Sequence, residues 1–261
     1  LLSDTQGNLN VAVGRDALRA QNMGSDLDSY NTAVGALAGT AVTTGIYNTL
    51  IGGLAGDALT DADSNVAVGR ASLSQDTLGS CSVAIGRNAL TVQNFTTATD
   101  TFNVAVGDRA GSAVTTGTDN TLIGGLAGDA LTTGSDNVAI GKDALSADTL
   151  GSENVAIGKN TLEAQNFTTA TNVYNVAIGS SAGQAMTTGV TNTLIGGLAG
   201  DGLTDADQNV ALGYASLSSD TLGSNSVAIG YAALVAQNFT TATNSYNTAV
   251  GASAGGAVTT G

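Results

Sequence analysis

One five-residue phrase, Asn-(Val/Thr)-(Ala/Leu)-(Val/Ile/Leu)-Gly, constrains this chain more than anything else in it. It begins at Asn10, Asn31, Asn48, Asn65, Ser82, Asn103, Asn120, Asn137, Asn154, Asn175, Asn192, Asn209, Ser226 and Asn247, with Ser replacing Asn twice. The steps run 21, 17, 17, 17, then the same again twice, then a final 21, so a 17-residue unit is nested in a 72-residue super-repeat. A unit this short cannot bury an apolar face alone and must stack on its neighbours. The spacing therefore predicts an all-β, parallel β-solenoid (β-roll or β-helix) of about fourteen coils, read as one rod over residues 1–261.

Composition agrees with that reading. The chain has 36 Gly and no Pro. Glycine suits turns that need positive φ, and proline would remove a ladder hydrogen bond from any strand it entered. In Asn154-Val155-Ala156-Ile157-Gly158, period-2 alternation puts Val155 and Ile157 on one side and Ala156 on the other. The fourth position is always Val, Ile or Leu, so that side is expected to be the core. The third position is Ala except at Leu50, Leu122 and Leu194, leaving a narrow, flat apolar stripe expected to face outward. Over fourteen coils at about 4.8 Å, a rod of roughly 65 Å would expose on the order of 600 Å² along that stripe. Something must cover it, either another chain or the far wall of a very flat coil, and a parallel homo-oligomer is the expected state.

Turns follow two patterns after the phrase. In one, Leu stands four residues past the Gly, as at Leu18, Leu73 and Leu145; in the other Gly stands there and a large apolar residue waits, as at Val42, Leu59 and Met186. The 21-residue coils carry extra segments with aromatics at 72-residue spacing: Phe95, Phe167 and Phe239, then Phe102, Tyr174 and Tyr246. These aromatics either pin a bulging loop to the rod or form a row of partner-contacting loops. A second candidate contact stripe follows the strand Gly: Arg70 and Arg87, Lys142 and Lys159, Tyr214 and Tyr231, paired in adjacent coils. It is either a tolerant solvated face or a contact for acidic glycans or a protein.

Other chemistry is sparse. With no His, neither a Ser-His-Asp nor a Cys-His site can be built, and no catalytic residue, metal or cofactor is expected. Cys81 stands where other coils carry Tyr, Ser, Asp, Glu or Asn and reads as drift. Asp-x-Asp pairs at Asp26/Asp28, Asp61/Asp63 and Asp205/Asp207 could hold calcium, but the matching stretch Thr133-Gly134-Ser135 lacks them. A Thr column (Thr43, Thr60, Thr77 and their 72-residue repeats) raises ice binding, yet its neighbours Thr44, Asp61 and Leu78 do not form a second column. A hydroxyl ladder within the coil is the simpler role. A net charge of −14 disfavours nucleic acid and anionic membranes as partners. The chain opens at Leu1 and stops on an unfinished coil at Thr259-Thr260-Gly261, which reads as a piece of a longer protein.

The stretch Asn225-Ser226-Val227-Ala228-Ile229-Gly230, with Ser82-Val83-Ala84-Ile85-Gly86 as a second close copy, resembles the head repeat of YadA-like trimeric autotransporter adhesins. Similar arrays occur in phage tail-fibre and other virion proteins. The resemblance implies a left-handed parallel β-roll, a trimer, and a place in a virion or on a cell surface. It implies core roles for Val227 and Ile229 and offers no catalytic residue. The expected function is thus a non-enzymatic structural or adhesive rod. Glycan or partner binding is the alternative, and ice binding the third reading.

Overall fold

The computed structural model describes residues 3, 4 and 6–261, and among them there is no helix. The chain divides into two compact units, Leu1–Thr133 and Gly134–Gly261. In the first, the phrases form the strands Val11–Val13, Thr32–Val34, Thr49–Ile51, Val66–Val68, Val83–Ile85, Val104–Val106 and Thr121–Ile123. In the second they form Val138–Ile140, Val155–Ile157, Val176–Ile178, Thr193–Ile195, Val210–Leu212, Val227–Ile229 and Thr248–Val250. Within each unit successive strands pair in parallel, with equivalent positions opposite one another: Val106 pairs with Ile85 below and Ile123 above. The chain is a parallel β-solenoid, seven described turns to each unit.

The side chains face the other way from the expectation. Every described strand after the first buries its third position, and Ala33, Leu50, Ala84, Ala156, Leu194 and Ala228 are wholly inaccessible. The second and fourth positions, such as Val155 and Ile157, lie on the outside and are half-buried only by their neighbours along the stack. Val227 and Ile229, assigned to the core by resemblance, are also on the outer face. Alternation says which residues share a side but not which side is inner. β-Branched residues suit the outer face of a sheet as well as a core.

Interior width decides the matter. In seven of the turns whose third position is Ala, a Leu four residues past the Gly fills the interior, and Leu18, Leu73, Leu90, Leu145, Leu162 and Leu217 are buried completely; where both places are small, as at Ala33 with Gly39, the leucines of the turns on either side, Leu18 and Leu50, reach in. Where the third position is Leu, that place is Gly. A Cβ on Gly200 would lie 2.8 Å from Leu194 Cδ2 and 2.9 Å from Leu203 Cδ1. Volume is thus traded between opposite walls of a thin coil and between adjacent turns, keeping the packing dense.

The first and last residues of the phrase hold the stack. Asn48 is fully buried. Its backbone N–H donates to Asn31 Oδ1 at 2.8 Å, its Nδ2 donates to Ala62 O across the coil at 2.7 Å, and its Oδ1 accepts from Asn65 N at 3.0 Å. Asn48 therefore closes its own turn and ties the next, satisfying an amide that would be costly to bury unpaired. The phrase Gly adopts positive φ, +137° at Gly86, where a Cβ would sit 2.2 Å from Gly107 O in the turn above. No other residue fits there.

The 21-residue coils spend their extra residues on a small second sheet and a buried polar cluster. Thr99–Asp100 pairs in parallel with Gly79–Ser80, and Thr171–Asn172 with Gly151–Ser152. Buried Asp76 accepts from Gln93 Nε2 at 2.6 Å and from Gly79 N and Phe95 N, both at 3.1 Å. Asp148 with Gln165 and Asp220 with Gln237 repeat the arrangement. One extra residue per long coil is turned inward beside the phrase residue of the turn before. Ser29 bonds Asn10, Thr101 bonds Ser82, and Ser245 bonds Ser226. In the remaining copy this residue is Val173, and Asn154 Oδ1 is buried without a partner.

Two substitutions test this core. Leu194→Ala leaves Gly183 and Gly200 with nothing between them, so a loss of about 2–5 kcal/mol is expected in urea unfolding monitored by circular dichroism. Val173→Thr supplies a hydroxyl to Asn154 at nearly constant volume, and a gain of about 1 kcal/mol is expected in the same titration.

Candidate contact face

Each strand turns its second and fourth residues outward, so in each unit two columns of Val, Ile and Thr run up one flat surface at the spacing of the ladder. Ile51, Ile85, Ile123 and Leu212 remain 36–42% exposed although each has a strand beside it. Two further columns border this surface. The residue just before the phrase has a left-handed backbone in every turn: Tyr30, Tyr47, Phe102, Tyr174 and Tyr246 are among them. The residue just after the phrase Gly forms the opposite margin. Six residues of nearly extended chain separate the margins, about 20 Å.

The twelve candidate contact residues divide between this surface and the interior. Phe95 and Phe167 are buried, and Phe239 is half-buried. The backbone N–H groups of all three donate to Asp76, Asp148 and Asp220, so these rings pin the long coils inward and do not project. Phe102, Tyr174 and Tyr246 are exposed on the leading margin. Arg70, Arg87, Lys142, Lys159, Tyr214 and Tyr231 are exposed on the trailing margin. Two features that looked independent in sequence are therefore the two edges of one surface. The apolar columns between them carry no sequence signal of exposure, because alternation alone reads as well for a core.

Stacking along the margins is direct. Tyr214 and Tyr231 lie parallel with ring centroids 5.8 Å apart, and Tyr30 and Tyr47 with centroids 5.7 Å apart. Arg87 grips Asp108 of the next turn with Nε and Nη2, both at 2.8 Å, which pushes its pKa up. Lys142 pairs with the adjacent Asp143. The nearby Asp28 charge, and then partial burial, hold the Tyr30 phenol up. That ring, Tyr47, Asp26, Asp28, Leu27 and Asn8 line an open, mainly polar hollow of about 560 Å³.

The remaining candidates are spent on the stack itself. Thr43, Thr60, Thr115, Thr187 and Thr204 each donate a hydroxyl to the backbone carbonyl one turn on, forming a hydroxyl ladder. The Asp-x-Asp carboxylates do likewise. Asp61 accepts from the Thr44 hydroxyl and Asp63 from Ile46 N at 2.8 Å, while Asp205 and Asp207 serve Thr188 and Val190. Among the described residues no three His, Cys, Asp or Glu side chains gather as a metal site. Burial, then the Asp100 charge, raises the Cys81 thiol, which disfavours the nucleophilic thiolate. No helix among the described residues is long and apolar enough to cross a membrane.

Compared with known proteins, the chain matches no family model and none of the curated sequences.

One half-buried column shows how the stack handles charge. Asp129 has Arg109 at 3.7 Å. Its repeats Asp57 and Asp201 have Leu37 and Ser181 in the arginine's place, each has an Oδ1 buried without a partner, and burial raises both pKa values. A carboxyl raised on folding costs stability as pH climbs from its unfolded value through its folded one, because the folded chain resists ionisation. Asp201→Asn removes that cost. Melting scans from pH 3 to 8 are expected to show the variant gaining on the wild type as pH rises through the carboxylate range, then holding a constant advantage.

Proposed function

We propose that this chain is a non-enzymatic structural rod, a shaft or head segment of a virion fibre or cell-surface appendage, that works as a parallel homo-oligomer. The observation that carries this reading is the outward face: every turn presents β-branched residues that nothing within the chain covers. Seven turns at about 4.8 Å and a face about 20 Å wide amount to roughly 650 Å² per unit. Its apolar part, the two columns between the polar margins, is about half of that, a contiguous patch of the size that is often functional on a protein surface, and with the margins the face reaches the lower range of one partner's share in a stable interface. Near-identical turns favour length and stiffness over a single bespoke site: Asn48 to Thr60 recurs unchanged at Asn120 to Thr132. The resemblance of Asn225 to Gly230 to surface-fibre head repeats points the same way.

Glycan or partner binding is the second reading. It is favoured by the exposed, stacked Tyr214–Tyr231 and Tyr30–Tyr47 pairs, since flat aromatic surfaces suit sugar rings. A glycan array separates the two. The structural rod is expected to bind no glycan, with or without Tyr214→Ala and Tyr231→Ala. Binding by the wild type that the double variant loses would replace the rod with an adhesive module.

A further inference from the structure

Three of the chain's asparagines are followed two residues later by a hydroxyl residue: Asn94-Phe95-Thr96, Asn166-Phe167-Thr168 and Asn238-Phe239-Thr240. Such a triplet, with any residue but Pro in the middle, is the acceptor motif for N-linked glycosylation. A motif this short gains meaning only from its place in the fold. The asparagines that open the phrase, most of them fully buried, never carry it. All three triplets lie instead on the segment that carries the extra residues of a long coil, and in each the Asn and the Thr are exposed.

Alternation of side chains puts Asn and Thr on one side of the segment and Phe on the other. Phe95 and Phe167 are 7% exposed, and Phe239 is half-buried. With their backbone N–H groups bonded to Asp76, Asp148 and Asp220, these residues anchor the triplet from its centre. The Asn is held at two further points. Its backbone N–H donates one turn on, from Asn94 to Thr115 O, Asn166 to Thr187 O and Asn238 to Thr259 O. Its Oδ1 accepts from the Thr hydroxyl of the turn before, at 3.1 Å from Thr77, 3.0 Å from Thr149 and 3.2 Å from Thr221. Nδ2, the atom that carries a sugar in an N-linked glycan, has no hydrogen bond in any of the three copies among the described residues. The hydroxyls of Thr96, Thr168 and Thr240 have none either.

The first long coil supplies a comparison within the same chain. Asn22 is exposed, and its N–H bonds Thr43 O as in the other copies. Its triplet is Asn22-Met23-Gly24, which lacks the hydroxyl, and its Oδ1 turns back to Gly24 N at 3.4 Å. Within the second unit, Asn166 and Asn238 stand four turns apart, about 19 Å along one wall. Bulky, hydrated sugars fit there without crowding.

We infer that Asn94, Asn166 and Asn238 are acceptor sites for N-linked oligosaccharide, transferred from a polyprenyl pyrophosphate carrier. In the transfer, Nδ2 attacks the anomeric carbon of the first sugar. The bond from that carbon to the pyrophosphate oxygen breaks, its electron pair leaves with the carrier, the carbon–nitrogen bond forms, and Nδ2 gives up one proton to a base of the transferase. The inference rests on the proposed surface rod only in placing these loops outside the cell, and it adds a covalent modification to that reading.

The full chain, preceded by a secretory leader, is produced in a eukaryotic cell, recovered from cells and medium together, and treated with peptide-N-glycosidase in heavy-oxygen water. The enzyme leaves a heavy-oxygen aspartate wherever a glycan was attached. Peptide mass spectrometry is expected to find that label at Asn94, Asn166 and Asn238, and at neither Asn22 nor any phrase asparagine. Thr96→Ala, Thr168→Ala and Thr240→Ala are each expected to abolish the label at their own site and keep it at the other two. Because these hydroxyls bond nothing within the described chain, circular dichroism is expected to stay unchanged. The same chain without the leader, held in the cytosol, is expected to carry no label. A label missing from any of the three sites in the secreted chain, present at Asn22, surviving the Thr substitutions, or found in the cytosolic chain would overturn the inference. Each of these outcomes leaves the rod itself standing, since the glycan array decides that reading separately.

Discussion

The parallel ladder in strict register is the constraint from which the rest of this structure follows. Once Val106 lies between Ile85 and Ile123, every other residue of the turn must also lie over its equivalent. Each column then becomes a chemical problem solved once and copied. A column of amides can hydrogen-bond to itself, so buried Asn persists at the start of the phrase. A column where backbone passes within touching distance of backbone admits only Gly. A column of like charges repels unless neighbours neutralise it or water reaches it. That is why the charged columns lie at the exposed margins, and why Arg87 and Arg109 reach for Asp108 and Asp129.

The interior is thin, and thinness explains both the alternation of turn types and the apolar exterior. A coil with room for one Leu from either wall cannot also enclose Val and Ile from the strand. The bulky β-branched residues are therefore expelled to the outer face, where they make a flat surface that one chain cannot cover. Stability and association share this origin: the arrangement that packs the core leaves a patch that favours a partner.

Buried polar groups mark where the super-repeat differs from its plain turns. Asp76 with Gln93, and its copies, anchor each long coil through the backbone of Phe95 and its equivalents, so the four extra residues are absorbed without disturbing the ladder. Imperfections are equally local. Asn154 lacks the hydroxyl its equivalents receive, and Asp57 and Asp201 lack the arginine that serves Asp129. A stack can carry such defects because each turn depends mainly on its two neighbours.

Much was legible from spacing alone. The 17- and 21-residue steps determine stacking, parallel pairing and register, because only equivalent residues laid over one another satisfy a repeat this short. The recurrent Asn and Gly mark the positions where a buried amide and a missing Cβ are required, and the position of Leu distinguishes the two turn types. The sense of the alternation was not legible. A period of two has no sign, and Val155 and Ile157 look as much like a core as Leu194 does. Only the opposite wall, with Leu162 or Gly200 at a fixed distance, decides which face is enclosed. Likewise Phe95 and Phe102 are equally aromatic in sequence, yet the fold buries one beneath a carboxylate-held loop and sets the other on an open margin. Local pattern determined the periodic scaffold; the tertiary structure decided inside from outside, because that depends on how much room is left between walls far apart along the chain.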